Sequence, residues 1–491
     1  LRLRSGIFRR RRRAIKGHAE RTDPLALRIL RGALLSVGAG VLIASIVTAP
    51  TKRNLEILAA ILFLGFALMA DPFRALLFVT ILIPYPAYTT VGSTSMLLIA
   101  AVGGLVLLKG PQLNLPSPFF KRDADLAILG YLLMCTLSWY VQPRAGYTEA
   151  RFLYFGILSG IAIYYMILTI INTPERLWKL LEITQIMAVS LAVLAMFQWN
   201  FPDKQILPAF FKFSQKVAEM EEIRRGQVRV TATFNGQELY AEYVAWSVIL
   251  QYILFRHQRD LHRKIFWALA ALLSLSALFA TATRGAFLAL VGGFIYMIVV
   301  GGRAIPRFQM MKVLFLGVAV FYLALGFVEP LVEFLMQRME TIGMDDGSVQ
   351  HREVVMRQAL TGVVDSPALG HGVSIPAGTF RGGVSKNIHS LYLHLAYTIG
   401  LPGLVAFCSL LAILFRNSWR LVRRSALPRD LRELALGLHV AFVIFLVDEV
   451  KIEFLRQPMY MHMVWSLFAM MMVLWRLERL NPPGLTGDSV T

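Results

Sequence analysis

The chain has 491 residues, of which 56% are hydrophobic and only 16% charged. Soluble domains carry about a quarter charged residues, so this composition excludes an ordinary water-soluble enzyme and implies a bilayer protein. The 50 Lys and Arg against 30 Asp and Glu leave a net +20, which in a membrane protein reads as cytoplasmic loop charge and not as a nucleic-acid surface.

The chain opens with a basic tail over residues 1–27 that contains Arg9 to Arg13. The first long apolar run, near Ala33 to Ala49, lacks a small-x-small cleavage site and reads as a retained helix. Apolar stretches long enough to span follow near 28–49, 55–70, 73–90, 94–109, 125–142, 151–172 and 178–199. After a polar segment at 201–237 come 238–255, 264–282, 285–302 and 312–329. A second long segment occupies 330–395, then 396–416, 434–449 and 459–476 lead to a tail at 477–491. The expected fold is all-α: a polytopic transmembrane helical bundle of about fourteen spans, twelve being the lower count. Residues 28–329 would hold spans one to eleven and 396–476 the last three.

Basic residues set the orientation. With the N-terminus cytoplasmic, the same side collects Lys121 and Arg122, Arg176 and Lys179, the cluster from Arg256 to Lys264, and the arginines from Arg416 to Arg432. Both termini are then cytoplasmic, and 201–237 and 330–395 are extracytoplasmic. The second segment should be partly helical: Val349, Met356, Leu360 and Val364 recur at helical spacing, as in a helix lying on the membrane surface. Asp345-Asp346-Gly347 reads as a turn in preference to a metal site. Cys135 and Cys408 fall in apolar runs and read as packed small hydrophobes.

Three residues at the expected outer face could carry chemistry. Arg284, in Ala-Thr-Arg-Gly-Ala-Phe-Leu, stands where two helices meet in a tight turn, with Leu288 one helical turn along the same face. A guanidinium there suits bidentate phosphate recognition; it equally suits a snorkelling cap on a helix hairpin. Arg151 opens a span after Thr-Glu-Ala and reads as an interface anchor or as a second such cation. His389 precedes the span containing Gly400-Leu401-Pro402-Gly403. It is either a solvated loop imidazole or a proton acceptor for a hydroxyl, since its ordinary pKa lies near neutrality.

These elements resemble the O-antigen ligase/O-antigen polymerase superfamily of membrane glycosyltransferases. Arg284 to Leu288 matches the ligases' Arg-x3-Leu element, and His389 to Gly400 their His-x10-Gly element. His351 with Gly362 and His371 with Gly382 have the same spacing, but His389 alone leads directly into a span. Arg229-Val-Thr-Ala-Thr-Phe-Asn-Gly resembles the family's Phe-x-Asn-Pro-Asn region, with Asn235-Gly236-Gln237 in place of Asn-Pro-Asn. Ser366-Pro367-Ala368-Leu369-Gly370 resembles its Pro-x-x-Gly-x-Gly turn. Ser390 stands where the family has Asn, and Arg225 with Gly236 fits the polymerases' Arg-x10-Gly.

The resemblance implies a metal-independent, cofactor-free, inverting transfer of a glycan from a polyprenyl-diphosphate carrier to lipid A core or another glycan acceptor. It also implies a bacterial inner membrane, with the site facing the periplasm. Arg284 and Arg151 would hold the diphosphate and His389 would orient or deprotonate the acceptor, with Arg352, Lys386, Arg381 and Arg229 in support. Partners are the donor, the acceptor and membrane lipids, with no nucleic acid. Two other classes fit a polytopic chain. A transporter of lipid-linked glycans would use ionisable groups within spans, here Glu242 and His439; a non-catalytic envelope scaffold would use neither set.

Overall fold

The computed structural model describes residues 71–86, 93–109, 123–140, 147–201, 229–303, 305–306, 308, 310–311, 347–373, 388–423 and 427–480. The spans expected at 28–49, 55–70 and 312–329, the tail 1–27, Asp345-Asp346, Lys386 and Arg381 lie outside the described residues, as do residues 202–228 and 481–491.

Among the described residues the long elements are all helical: α1 Pro72–Leu82, α2 Thr94–Lys109, α3 Asp123–Tyr140, α4 Tyr147–Ile170, α5 Pro174–Asn200, α6 Gln237–His257, α7 Leu261–Ala280 and α8 Arg284–Val300. Then follow α9 Gly347–Asp365, α10 Leu391–Arg423, α11 Arg429–Asp448 and α12 Pro458–Leu480. Five stretches are long and apolar enough to cross a membrane, within α4, α5, α7, α10 and α12, and α1, α2, α3 and α8 are shorter apolar helices. The expected count of about fourteen spans is not reached among these residues. Helices α6 and α11 coincide with predicted spans yet fall outside both groups, and each carries charge along its length, including Glu238, Glu242 and Arg256 on one and Asp430, Glu433 and Asp448 on the other.

Sidedness of burial follows from the solvent. On α3, Leu126, Leu129, Leu133 and Leu137 form an outward stripe, and on α7 Leu261, Ile265, Leu269 and Leu272 do the same. Apolar stripes of this size facing water would drive aggregation; facing lipid they are ordinary. Helix α12 is the opposite case, with its whole span window buried. It is packed closely by α4, where Gly156 and Gly160 leave no room for a Cβ beside Met461 and Trp465. Small residues at one spacing along a helix permit this approach, and dispersion contacts then replace lipid.

One end of the bundle gathers basic groups. Arg256 makes a two-pronged pair with Glu433 (Nε to Oε2 3.0 Å, Nη2 to Oε1 2.9 Å), and Arg429 Nε reaches the same carboxylate at 3.0 Å. Arg476 donates to the Leu168 and Ile171 carbonyls, satisfying the C-terminal end of α4. Arg176 Nη1 donates to the Ile170 carbonyl at 3.2 Å.

The break in α10 accounts for Gly400. This residue has φ +75° and is the point where two helical pieces join. Pro402 has no N–H for the Thr398 carbonyl, and Leu401 turns its own N–H to the Pro367 carbonyl at 2.8 Å. The freed carbonyls of Tyr397 and Thr398 accept instead from His371 N (2.9 Å) and Gly372 N (3.1 Å), and Thr398 also from Ser138 Oγ at 2.5 Å. The Ser366–Gly372 turn therefore docks on the break. Helix α9 packs beside it through Val355 and Ala359 against Ile388 and Tyr397. Of the stripe read from the sequence, Met356, Leu360 and Val364 are exposed on the face away from this packing, and the side chain of Val349 lies outside the description.

A Gly400→Ala change should lower the thermal midpoint in detergent, since a positive-φ, extended-ψ backbone open essentially to glycine costs other residues about 1–3 kcal/mol and the new Cβ would overlap the Ala368 carbonyl. Gly292→Ala, in open space on α8, should leave the midpoint unchanged or raised. Equal midpoints for both would contradict this account.

Candidate functional site

The end of the bundle opposite the Arg256–Glu433 pair is built from four stretches of irregular backbone: 229–236, 281–283, 388–390 and 449–457. Each is fixed by long-range hydrogen bonds. Gln198, near the end of α5, bonds Ala232 twice, Nε2 to the carbonyl at 3.0 Å and Oε1 from the N–H at 2.9 Å. Gln457, fully buried ahead of α12, accepts from Asn235 N at 3.1 Å and donates to the Thr233 carbonyl at 3.3 Å. Thr233 Oγ1 donates to the Pro84 carbonyl at 2.6 Å. Phe234 is sealed among Tyr240, Tyr243 and Tyr460.

Arg229 uses its guanidinium inside this frame. Nε donates to the Thr281 carbonyl at 3.2 Å and Nη2 to the Ala282 carbonyl at 3.1 Å, while Val230 N reaches the Ala280 carbonyl at 3.3 Å. These bonds hold the turn between α7 and α8, where Ala282 has φ +52°. Arg284 is the first residue of α8, half-buried, and its N-cap Thr283 makes no side-chain cap. Among the described residues the Arg284 guanidinium has no hydrogen bond or ion pair. The first N–H groups of a helix lack acceptors and carry its positive end. A free guanidinium beside them makes a pole for anions.

His389 faces this region from the other side. Its backbone is left-handed, φ +54°, between the buried Ile388 and Ser390. Its Nδ1 lies 3.9 Å from Glu238 Oε2, on the first turn of α6. Leu391 N donates to the Glu449 and Ile452 carbonyls at 2.9 and 3.0 Å, so the start of α10 is tied to the α11–α12 connection. That connection reaches back to α8, because Lys451 lies over Gly285, the neighbour of Arg284.

The structure thus gathers Arg284, Arg229 and His389 around one rim. Arg151 shares the end of the bundle: nearby Gly156 packs on Pro458, the first residue of α12, and α4 touches the short helix Phe454–Arg456. Its exposed guanidinium sits 5.8 Å from the Phe155 ring, and no contact joins it to Arg284 or His389. Arg352 falls on α9 with its side chain outside the description, and Lys386 and Arg381 lie outside it altogether. Of the two groups expected of a transporter, His439 is held by Tyr296 Oη (2.9 Å) and Ser418 Oγ (2.8 Å), and Glu242 is fully buried near the rim.

Sequence reasoning missed Glu238, Gln198, Gln457 and Lys451. The first three carry no local signature. Lys451 does, as a lysine in a short connection on the side that the sequence reading makes extracytoplasmic and therefore poor in lysine.

Replacing Arg229 by Ala removes two hydrogen bonds from a charged donor, each worth about 1.5–3 kcal/mol. Amide exchange across 281–284 should accelerate in hydrogen–deuterium mass spectrometry while the Arg256–Glu433 end is unaffected. Unchanged exchange in the turn would remove Arg229 from its holding role.

Residues 269–408 match the family model described as O-antigen ligase, a range that contains both Arg284 and His389. The resemblance to the O-antigen ligase superfamily is shown over that range. No curated protein matches the chain.

Proposed function

We propose that this protein is a membrane glycosyltransferase that moves a glycan from a polyprenyl-diphosphate carrier to an acceptor hydroxyl on the extracytoplasmic face, with lipid A core as the acceptor in the O-antigen ligase manner. The observation that carries the reading is the Arg284 guanidinium at the head of α8, unpaired among the described residues, across the rim from His389 and, like it, inside the matched family range. The site would face the periplasm across a bacterial inner membrane, both termini being cytoplasmic.

The chemistry asks little beyond charge and position. A glycosyl diphosphate carries its own leaving group, so the protein must stabilise the departing diphosphate and accept or orient one proton. Arg284 and the open N–H groups of α8 meet the first need, with Arg151 as a second cation at the same end. His389 meets the second, its imidazole orienting the acceptor hydroxyl or taking its proton, with Nδ1 3.9 Å from Glu238. The acceptor oxygen attacks the anomeric carbon from the side opposite the leaving oxygen, inverting the centre, and its proton passes to the imidazole. None of these steps calls on a metal ion or a nucleotide. Arg229 acts through the turn, as a positioning residue. Lys386, Arg381 and Arg352 would add positive potential from the large loop.

The test is transfer by the purified chain in nanodiscs, given a polyprenyl-diphosphate glycan and a panel of acceptors. Arg284→Lys should lose about a hundredfold or more in rate, because lysine lacks the two-pronged fork, and His389→Ala a similar amount. Wild-type transfer by both variants would end the proposal, whereas elongation of the donor's own glycan in place of lipid A core would make the protein a polymerase. Glu238→Gln should move the acid limb of the rate–pH profile to lower pH. Without the carboxylate, imidazolium is less favoured and the base form persists further into acid. An unmoved limb would separate Glu238 from the chemistry.

A further inference from the structure

We propose that Lys451 is a further cation of the diphosphate site, a role that rests on the donor reading given above. Lys451 Nζ pairs with Asp448 Oδ1 at 2.5 Å; the carboxylate is fully buried while the lysine side chain is 32% exposed. An ammonium has three donors, and the exposed part of the side chain leaves room for a second partner besides Asp448. The chain lies directly over Gly285, where a Cβ would overlap Nζ and crowd Cε and Cδ.

That position is unfavourable for a lysine left to itself. The first turn of a helix is the positive end of its dipole and prefers negative charge. Here α8 presents its open N–H groups, an Arg284 with no partner among the described residues and the Lys451 ammonium within one turn. Asp448, buried and i−3 to Lys451, answers one of these positive groups. Glu242 and Glu449 stand behind Asp448 in the buried interior, whereas Arg284 and the exposed part of Lys451 turn positive charge outward, where an anion fits. A lysine that only neutralised Asp448 would have no need of the glycine cradle beside Arg284. Backbone bonds fix the placement as well: Lys451 N and Ile452 N both donate to the Asp448 carbonyl (2.9 and 3.1 Å), and Leu391 N closes the same loop from the His389 side. Lys451 therefore lies between the two halves of the site, a compact charge complementing the planar fork of Arg284.

The experiment measures binding of farnesyl diphosphate, with farnesyl monophosphate as the comparison, to the full chain in nanodiscs by calorimetry. Thermal midpoints are recorded for every variant. Lys451→Gln should weaken diphosphate binding about tenfold or more and monophosphate binding less. Lys451→Arg should restore most of the affinity, and Gly285→Ala, which displaces the ammonium without removing charge, should weaken binding as Lys451→Gln does. If Lys451→Gln unfolds, the Arg and Gly285 variants decide: weak binding by Gly285→Ala with retention by Lys451→Arg supports the role, and any other combination overturns it. Wild-type affinity in Lys451→Gln while Arg284→Ala loses binding removes Lys451 and leaves the donor reading standing. Wild-type affinity in both removes the donor reading as well.

Discussion

Two hydrogen bonds from the Arg229 guanidinium to the Thr281 and Ala282 carbonyls fix the turn from which α8 starts. A helix hairpin joined by three residues has little slack. The direction of Arg284 is decided by what holds those carbonyls, and the hold is remote in sequence. Arg229 is itself kept in place because the segment after it is bonded by Gln198 from α5 and by Gln457 ahead of α12. Irregular backbone in a membrane protein is tolerated where the surrounding protein satisfies its polar groups, and at this rim side-chain amides, a guanidinium and backbone groups from distant segments share that task.

The bundle uses arginine in two ways. At the end of Arg256 and Arg476, guanidinium groups are matched by Glu433 or by helix carbonyls, and their charge is internal to the protein. At the rim, Arg284 has no such match among the described residues. An unmatched cation beside buried groups is costly unless something brought from outside answers it, and that contrast separates a recognition element from a structural one better than position alone.

Much of this was legible before any coordinates. Continuous apolar runs located most of the helices, because lipid imposes one composition along the whole length of a span. Arg284 stood out at a helix junction and His389 at the entry to a span, since both placements depend on neighbours close in sequence. What could not be read depends on partners far along the chain: Glu238 opposite His389, Gln198 on Ala232, Gln457 on Asn235. Helix α9 taught a different lesson. Met356, Leu360 and Val364, read as the apolar stripe of a membrane-surface helix, are exposed, while Val355 and Ala359, off that stripe, make the packing contacts. A surface helix has apolar neighbours on more than one side, so periodicity finds the helix without saying which face is occupied.

The enclosure of α12 has a consequence for assembly. A helix surrounded on all sides by others cannot be laid down first against lipid and then covered piecemeal; it must enter a slot that α4, α5, α10 and α11 have left for it. Gln457 arrives with that helix, and only then do the Thr233 carbonyl and the Asn235 N–H gain their partner. The rim is thus completed late, by the insertion of the last described segment to leave the ribosome, and a nascent chain halted before Gln457 would carry Arg284 and His389 without the frame that aims them.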